Sequence, residues 1–515
     1  MTATFRPELP KRLTPLLPTL LLAALVVVAP LGSELSAQRR TQPARSTSKP
    51  EATAPKGVLE LRRDLSSMLD GFTRNGQWGA AVVSLTRGDT LFQRAADTHM
   101  MPASTMKLYT AALALDTFGP EHRFSTDLLH DGPVREDNVV EGNLYLRGAG
   151  DPALAARFMP GRRPDAAVDA LARIVRDAGI THIRGDVVGD ATLFEHELVP
   201  EGWQTRYLSA GYAARVSALS LNENLVTIAV EPMSSGSGAS VRFEPQARGL
   251  RLDNQVRTVA GRGANVVAYT LADGTILARG TIGRSAGVRR YNLVVEEPAR
   301  YAAGALLEAL RRAGVQVDGG VALAPTPSDA MLLGGIPSPP MHQLVSVMNR
   351  ESINHYAELL FRNAARRVLQ DSPGSAQTGN VLLKRFMDAR VGGDPDAVFA
   401  SDGSGLSVLN RVTARSLVQL LSHAHDAPWS STFHASLPVA GESELLRTRM
   451  RNTPAAGNLH AKTGTTNDII SLAGYVTADN GEILAFAFLY NGRDRWNARE
   501  ALDVMGATMA QWGRD

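Results

Sequence analysis

The 515-residue chain contains no cysteine, so neither a disulfide nor a thiolate–metal bond can hold its fold together. It must fold by burying apolar side chains, and a hydrophobic content of 44% over this length is enough for a large core. No cluster of histidines and carboxylates indicates a catalytic metal, so no metal and no cofactor is predicted. A net charge of +3, without a basic run interleaved with aromatics, gives no indication of nucleic-acid binding.

The N-terminus has the pattern of an export signal. Basic residues precede the apolar stretch 16–29, and small residues follow it. We therefore predict a signal peptide over residues 1–37 and a location in the periplasm or cell envelope. An uncleaved membrane anchor is the alternative, although the stretch is short for a membrane span. Residues 38–56 are rich in Pro, Ser and Thr, which predicts a flexible linker.

The two ends of the chain carry matching patterns. Residues 58–72 have helical periodicity, and residues 79–95 read as a β-hairpin. A second hairpin is predicted at 471–492, and a terminal helix follows it. We expect both ends to share one antiparallel sheet flanked by helices, in a single α/β (α+β) domain.

Short alternating segments dominate the middle of the chain and predict mainly β-structure there, with helices at 165–178 and 301–314. The predicted division is therefore a first part of the catalytic domain at 57–127, a β-rich insertion of one or two subdomains at 128–326, and the second part of the catalytic domain at 327–515.

Ser104 stands three residues before Lys107 at the start of an apolar-periodic run, "PASTMKLYTAALAL". On a helix these positions share a face, so the amine can reach the hydroxyl. A serine hydroxyl needs a neighbouring base to become a nucleophile, and a buried lysine can lose its proton whereas an arginine cannot. A helix-capping serine beside an unrelated lysine is the alternative. Ser46 and Lys49 have the same spacing, but no apolar periodicity follows them.

Two further short motifs lie farther along the chain. The segment Ser352–Asn354 stands just before an amphipathic helix, and Lys462–Thr465 leads into an apolar strand. Taken alone, the first is explained as a helix cap and the second as the ordinary start of a strand. Gly464 allows a ligand or another backbone to come close. Together with the first pair, these segments match in order the Ser-x-x-Lys, Ser-Asp-Asn and Lys-Thr-Gly set of penicillin-binding proteins and serine β-lactamases.

The chain resembles the class C low-molecular-mass penicillin-binding proteins, which are D-alanyl-D-alanine carboxypeptidases also described as endopeptidases. The three motifs and the segments 142–154, 400–414 and 437–465 carry the resemblance, which runs from about residue 60 to the C-terminus. The first two motifs lie 248 residues apart, and the family is known for β-rich domains inserted there. The resemblance implies a penicillin-binding/β-lactamase-like transpeptidase fold, with peptidoglycan stem peptides and β-lactam antibiotics as partners.

The resemblance also implies the catalytic roles. Ser104 would attack the carbonyl carbon between two D-alanines and form an acyl-enzyme, and Lys107 would take its proton. Ser352 would relay a proton toward the leaving amine, with Asn354 holding the substrate amide and the lysine. Lys462 would supply positive potential for the terminal carboxylate.

The substrate-binding residues are likewise implied by the resemblance. Thr463 would contact the carboxylate beside Gly464, and the backbone N–H of Thr465 would form the oxyanion hole together with that of the nucleophile. Asp190 would bind the amino group of a diaminopimelate side chain, with Phe194 against its methylenes. A solvated aspartate at a turn and a core phenylalanine are the alternative for the last two residues.

Two other functions remain open. A serine β-lactamase would use the same motifs, but the chain has no Glu-x-x-Leu-Asn stretch after residue 354 to supply the deacylating base of class A enzymes. The middle motif, Ser352–Asn354, reads Ser-Ile-Asn where the family signature has Ser-Asp-Asn. It keeps the serine and the asparagine, so the roles implied for them are unchanged. A non-catalytic peptidoglycan-binding protein of the envelope is the second alternative, and the intact motifs speak against it.

Overall fold

The structure is a computed structural model that describes residues 50–271, 273–370 and 373–514. The predicted signal peptide and the predicted linker up to residue 49 lie outside the described residues. Across those described ranges, helices of the length and apolarity needed to cross a membrane are absent.

The α-helices of the described residues are concentrated in the second half of the chain. They are α1 (Gly57–Phe72), α2 (Lys107–Phe118), α3 (Ala166–Asp177), α4 (Pro298–Arg312), α5 (Met341–Arg350), α6 (Asn354–Leu369), α7 (Ala376–Phe386), α8 (Ala414–Asp426), α9 (Ser430–Ala435) and α10 (Arg495–Ala510).

The strands fall into several small sheets. They are β1 (Gln77–Ser84), β2 (Thr90–Arg94), β3 (Ser125–His130), β4 (Val139–Val140), β5 (Leu144–Arg147), β6 (His182–Ile183), β7 (Val187–Asp190), β8 (Leu225–Glu231), β9 (Ser240–Glu244), β10 (Arg251–Val259), β11 (Ala264–Thr270), β12 (Thr275–Gly283), β13 (Arg289–Val294), β14 (Gln316–Val317), β15 (Val321–Leu323), β16 (Met331–Pro337), β17 (Val398–Phe399), β18 (Arg411–Val412), β19 (His460–Thr465), β20 (Ile469–Thr477) and β21 (Ile483–Asn491).

A five-stranded antiparallel sheet joins the two ends of the chain in the order β19-β20-β21-β1-β2. Side chains along β21 alternate between its faces. Phe486 and Phe488 enter the core shared with α1 and α10, whereas Ala487 and Leu489 enter the core shared with α2, α6 and α8. The predicted antiparallel sheet flanked by helices is confirmed, including the hairpins predicted at both ends.

The middle of the chain forms separate sheets around its own apolar core. A five-stranded sheet has the order β15-β7-β5-β3-β16, and three-stranded sheets have the orders β10-β12-β11, β13-β8-β9 and β14-β6-β4. Helices α3 and α4 pack together in this core, at the positions predicted for helices. Strand β3, which spans the predicted limit at residue 128, pairs with β16, which begins five residues after the predicted limit at residue 326. The domain limits themselves stay a prediction.

Candidate active site

Ser104 lies in a 3-10 turn, Ala103–Met106, that runs directly into α2. The turn is fixed from both sides. Ser471 Oγ and Thr105 Oγ1 both donate hydrogen bonds to the carbonyl oxygen of Pro102, over 2.7 and 2.8 Å. On the other side, Gly405 adopts φ +86°, and a Cβ there would overlap the carbonyl group of Ala103. The serine hydroxyl is therefore held on a rigid turn and does not cap a helix.

Lys107 Nζ lies at the centre of the site. It donates to Ser104 Oγ at 3.0 Å, to Asn354 Oδ1 at 2.6 Å and to the carbonyl oxygen of Ser404 at 2.7 Å. The side chain is completely buried, and burial lowers its pKa to about 7. The nearby Asp402 and Glu358 act to raise the pKa, but their effect is smaller than that of burial. The neutral amine is therefore accessible near neutral pH, and its lone pair can accept the hydroxyl proton.

The second motif does not cap the helix that follows it. No side chain forms a capping hydrogen bond at the start of α6, so that alternative is wrong. Ser352 instead adopts φ +60°, a conformation that costs a residue with a Cβ about 1–2 kcal/mol. Asn354 is the first residue of α6, and its Nδ2 donates to the carbonyl oxygen of Tyr212 at 2.8 Å. Its amide thus links Lys107 to a segment from the middle of the chain.

The third motif lies on β19, at the edge of the five-stranded sheet. Lys462 is buried, and its Nζ donates to Ser352 Oγ at 2.9 Å and to the carbonyl oxygen of Thr463 at 3.0 Å. Burial and the charge of Lys107 hold the pKa of Lys462 well below its usual value. A Cβ on Gly464 would overlap Ser471 Oγ, so only glycine lets the strand lie this close to the serine turn.

A cleft of about 350 Å³ opens over the Ser104 hydroxyl. Its lining residues are Ser104, Tyr207, Tyr212, Ser352, Asn354, Gly405, Leu406, Thr465, Thr466, Asn467 and Arg495. The structure therefore brings the three predicted motifs together, with Lys107 and Lys462 beneath the floor of the cleft. Thr463 and Gly464 lie beside Thr465 on the same strand.

Several residues of the site were not predicted from the sequence. Tyr207 and Tyr212 form an edge-to-face pair, with ring centroids 5.8 Å apart, on the wall of the cleft. Arg495, at the start of α10, lines the cleft beside Thr466. No motif marks these three residues. The nearest signal was the arginine's position just after the predicted C-terminal hairpin.

A buried carboxylate organises the loop that contacts the lysine. Asp402 Oδ1 accepts hydrogen bonds from the backbone N–H groups of Gly405, at 2.7 Å, and of Ser404, at 3.2 Å. Glu358 Oε1 accepts from the same Ser404 N–H at 3.0 Å. These bonds orient the Ser404 carbonyl toward Lys107. The sequence segment 400–414 contributed to the family resemblance but gave no role for this loop.

Asp190 and Phe194 do not line this cleft. Asp190 Oδ1 accepts from the backbone and hydroxyl of Thr192, and Oδ2 accepts from the backbone and hydroxyl of Thr326. Burial acts to raise the pKa of Asp190, but these hydrogen bonds outweigh it and keep the pKa below its usual value. Phe194 packs in an apolar cluster with Trp203. These contacts leave the predicted substrate contacts of the pair without support, and the aspartate is buried, not solvated.

The described residues contain no group of three or more histidines and carboxylates placed to hold a metal ion. Serine, lysine and asparagine side chains meet at the floor of the site, and they supply its acid–base and nucleophilic groups.

Comparison with known proteins agrees with this geometry. Residues 61–512 match the family described as the D-Ala-D-Ala carboxypeptidase 3 (S13) family. The chain belongs to this family. The D-alanyl-D-alanine carboxypeptidase of Actinomadura sp. (strain R39) is 33% identical over 473 residues, which cover 88% of this chain and 85% of the relative. The prediction of a class C low-molecular-mass penicillin-binding protein is confirmed.

Solved structures support the fold of this S13 family member. The crystal structure of penicillin-binding protein 4 from Haemophilus influenzae superimposes with a TM-score of 0.72 and 24% identity, and the match covers 86% of this chain and 97% of that one. The same protein complexed with a β-lactam gives a TM-score of 0.68 and 22% identity, over 85% and 97% of the two chains. At these identities the likeness establishes the fold alone.

Proposed function

We propose that this protein is a serine-type D-Ala-D-Ala carboxypeptidase that acts on peptidoglycan stem peptides through an acyl-enzyme and is acylated by β-lactams. The observation that carries the proposal is the set of hydrogen bonds made by Lys107 Nζ, which joins Ser104 to Asn354. Family membership supports the reaction class, because the chain matches the D-Ala-D-Ala carboxypeptidase 3 (S13) family over most of its length.

Acylation begins with proton transfer from Ser104 Oγ to the neutral Lys107 amine. The oxygen attacks the carbonyl carbon of the penultimate D-alanine, and the backbone N–H groups of Ser104 and Thr465 stabilise the oxyanion. The peptide C–N bond then breaks as the leaving amine takes up a proton. Ser352 Oγ relays to that amine the proton that Lys107 took from Ser104, which leaves Lys107 neutral again, and the hydrogen bond between Ser352 and Lys462 supports this role. The terminal D-alanine leaves, and the remaining peptide is esterified to Ser104.

Water then attacks the ester carbonyl carbon while Lys107 takes a proton from it, and that proton passes to Ser104 Oγ as the ester C–O bond breaks. Among the described residues, the lining of the cleft includes no aspartate, glutamate or histidine that could activate water independently. A β-lactam ester that keeps water from Lys107 would therefore persist. This supports a penicillin-binding protein over a β-lactamase, whose rapid turnover needs an efficient deacylating base.

Labelling with a fluorescent penicillin tests the proposal. Wild-type protein should be labelled stoichiometrically, and Ser104→Ala should not be labelled. Ser46→Ala is the matched control, because it changes the other serine that precedes a lysine by three residues, and it should label like wild type. Absence of label on wild type would refute the enzyme and favour a non-catalytic envelope protein. Rapid turnover of nitrocefin would instead favour a β-lactamase.

The products formed from muropeptides define the activity further. Loss of one D-alanine from an uncross-linked peptide identifies a carboxypeptidase, whereas cleavage of a cross-link identifies a D,D-endopeptidase using the same acyl transfer. Mass spectrometry of the digest separates the two. We also propose that the protein works outside the cytoplasm, where its polymeric substrate lies. Cell fractionation, with the label on Ser104 as the marker, tests this location.

A further inference from the structure

Arg495 places a cationic group at the rim of the catalytic cleft. It is the first residue of α10, and its Nη1 donates to the carbonyl oxygen of Thr466 at 2.8 Å. Its guanidinium also lies over the exposed Trp496 ring, 4.8 Å from the centroid. Among the described residues no carboxylate lies within ion-pair distance of Arg495. Within that described part of the chain, this permanently charged group at the rim has no anionic partner.

The other cations of the site are used beneath the floor of the cleft. Lys107 makes three hydrogen bonds to protein acceptors, and Lys462 makes two. Burial favours the neutral form of both amines. Within the described part of the chain, Arg495 is the one lysine or arginine that lines the cleft.

The position of Arg495 relative to β19 matters as much as its charge. Thr466 follows directly on Thr465, at the end of the edge strand, and Asn467 comes next on the cleft wall. A guanidinium has five N–H donors, and the one hydrogen bond to Thr466 leaves the others available. Its planar fork suits a carboxylate, which it can bind through two parallel hydrogen bonds.

We infer that Arg495 and the adjacent Thr465–Asn467 segment form the binding site for the carboxylate of the leaving residue of the substrate. This inference rests on the proposed function, because it assumes that a peptide with a free C-terminus enters the cleft. It moves the source of positive charge from Lys462, where the family resemblance implied it, to Arg495. Lys462 then acts through Ser352 in the proton relay.

A pair of peptides that differ only in the carboxylate tests the inference. One ends in D-Ala-D-Ala with a free acid, and the other is its C-terminal amide, measured as a competitive inhibitor so that it need not be hydrolysed. In Arg495→Gln, KM for the acid should rise about 10-fold or more, the loss expected for a hydrogen bond to a charged group. The Ki of the amide should stay within about 2-fold of wild type, because a neutral amide has no charge for Arg495 to bind.

Arg499→Gln is the matched control. Arg499 lies one turn later on α10 and contacts the same Trp496 ring at 6.0 Å, but it does not line the cleft. The Arg499→Gln variant should bind the acid and the amide like wild type. Arg495→Lys, which keeps a positive charge, should recover part of the preference for the acid that Arg495→Gln loses. If the acid KM and the amide Ki rise equally in Arg495→Gln, Arg495 only supports the Thr466 loop. If neither the acid KM nor the amide Ki changes, Arg495 does not bind the substrate.

The two proposals fail in different ways. If wild-type protein neither hydrolyses the acid peptide nor is labelled by penicillin, the proposed function is refuted. If wild type is labelled and hydrolyses the acid peptide, but Arg495→Gln shows the wild-type ratio of acid KM to amide Ki, the proposed function stands and the carboxylate site is refuted.

Discussion

At the scale of single residues, the protonation state of Lys107 should govern acylation. Burial lowers its pKa to about 7, so the amine is mostly protonated below that pH and mostly neutral above it. Because only the neutral amine can take the proton of Ser104, the acylation rate should rise between about pH 6 and 8 and then level off. The rate of labelling by fluorescent penicillin, measured from pH 5 to 9, gives the acylation rate at each pH.

Lys107→Arg is the control for the pH profile. An arginine keeps its proton at every pH in the range, so this variant should not be labelled at any of them. A wild-type rate that stays flat from pH 5 to 9 would show that the proton of the serine goes to another group.

Ser352 combines an unusual backbone conformation with a hydroxyl, and two substitutions separate the two features. Its φ of +60° favours glycine, whereas its Oγ accepts a hydrogen bond from Lys462. Ser352→Gly and Ser352→Ala both lose the hydroxyl, so both should acylate slowly. The glycine variant should have a higher free energy of unfolding, by about 1 kcal/mol, because it has no Cβ in that conformation. Denaturant titration measures the difference, and equal stabilities would show that the conformation is relaxed in solution.

The catalytic side chains could be predicted because the reaction needs particular functional groups at particular spacings. Ser104 and Lys107 were singled out by that chemistry only together with the two later motifs, because their spacing alone also fits a capping serine beside an unrelated lysine. The carbonyl oxygen of Ser404 could not be predicted, because any residue supplies a backbone carbonyl and nothing in the sequence marks its direction. Asp190 was assigned to the substrate only because the family resemblance implied that role. Its threonine partners lie 2 and 136 residues away and satisfy it within the protein.

At the scale of elements, the approach of β19 to the serine turn depends on one missing side chain. In Gly464→Ala the new Cβ would overlap Ser471 Oγ and come within 2.7 Å of the Pro102 carbonyl oxygen. The strand must move away from Ser104, and we expect about 1–3 kcal/mol lower stability and a large loss of acylation rate. Thermal unfolding and penicillin labelling measure the two effects.

Gly320→Ala is the control for this prediction, because a Cβ at that exposed glycine meets no atom within 4 Å. It should match wild type in both measurements. If Gly464→Ala acylated at the wild-type rate, the packing of β19 against the turn would not be required for the reaction.

Elements with strong periodicity were predictable, and elements defined by their partners were not. The hairpins that contain β1 and β21 have apolar residues on both faces and adjacent turn residues, so local sequence specifies them. Strand β16 has two glycines, a largely exposed surface and an irregular register opposite β3. It is a strand because β3, some 200 residues earlier, offers it a pairing edge. Such long-range pairing leaves no local pattern.

At the scale of the whole molecule, the cleft is built from the middle of the chain as well as from its ends. Tyr212 accepts a hydrogen bond from Asn354, and the carbonyl oxygen of Glu201 accepts from the hydroxyl groups of Ser401 and Ser407. The sequence predicted the β-rich segment as an insertion beside the catalytic domain. It could not predict that residues 201–212 would form a wall of the active site, because the contacts join positions about 140–200 residues apart.

A substitution at Trp203 tests whether the active site depends on the middle of the chain, because Trp203 does not itself line the cleft. Its Nε1 donates to Asp402 Oδ2 at 2.8 Å, and Asp402 in turn orients the loop whose Ser404 carbonyl binds Lys107. Trp203→Phe keeps an aromatic ring in the cluster with Phe194 but removes the hydrogen bond. We expect about 1–2 kcal/mol lower stability and a several-fold slower acylation.

Trp78→Phe is the control, because it removes a buried indole N–H that does not contact the Ser404 loop. Trp78 is also buried, its Nε1 donates to Thr73 Oγ1 at 2.8 Å, and it is not among the residues that line the cleft. This variant should lose a similar amount of stability, measured by denaturant titration, and keep the wild-type labelling rate. If Trp203→Phe also labels at the wild-type rate, the loop holds Lys107 without help from the middle of the chain, and the two parts of the molecule are catalytically independent.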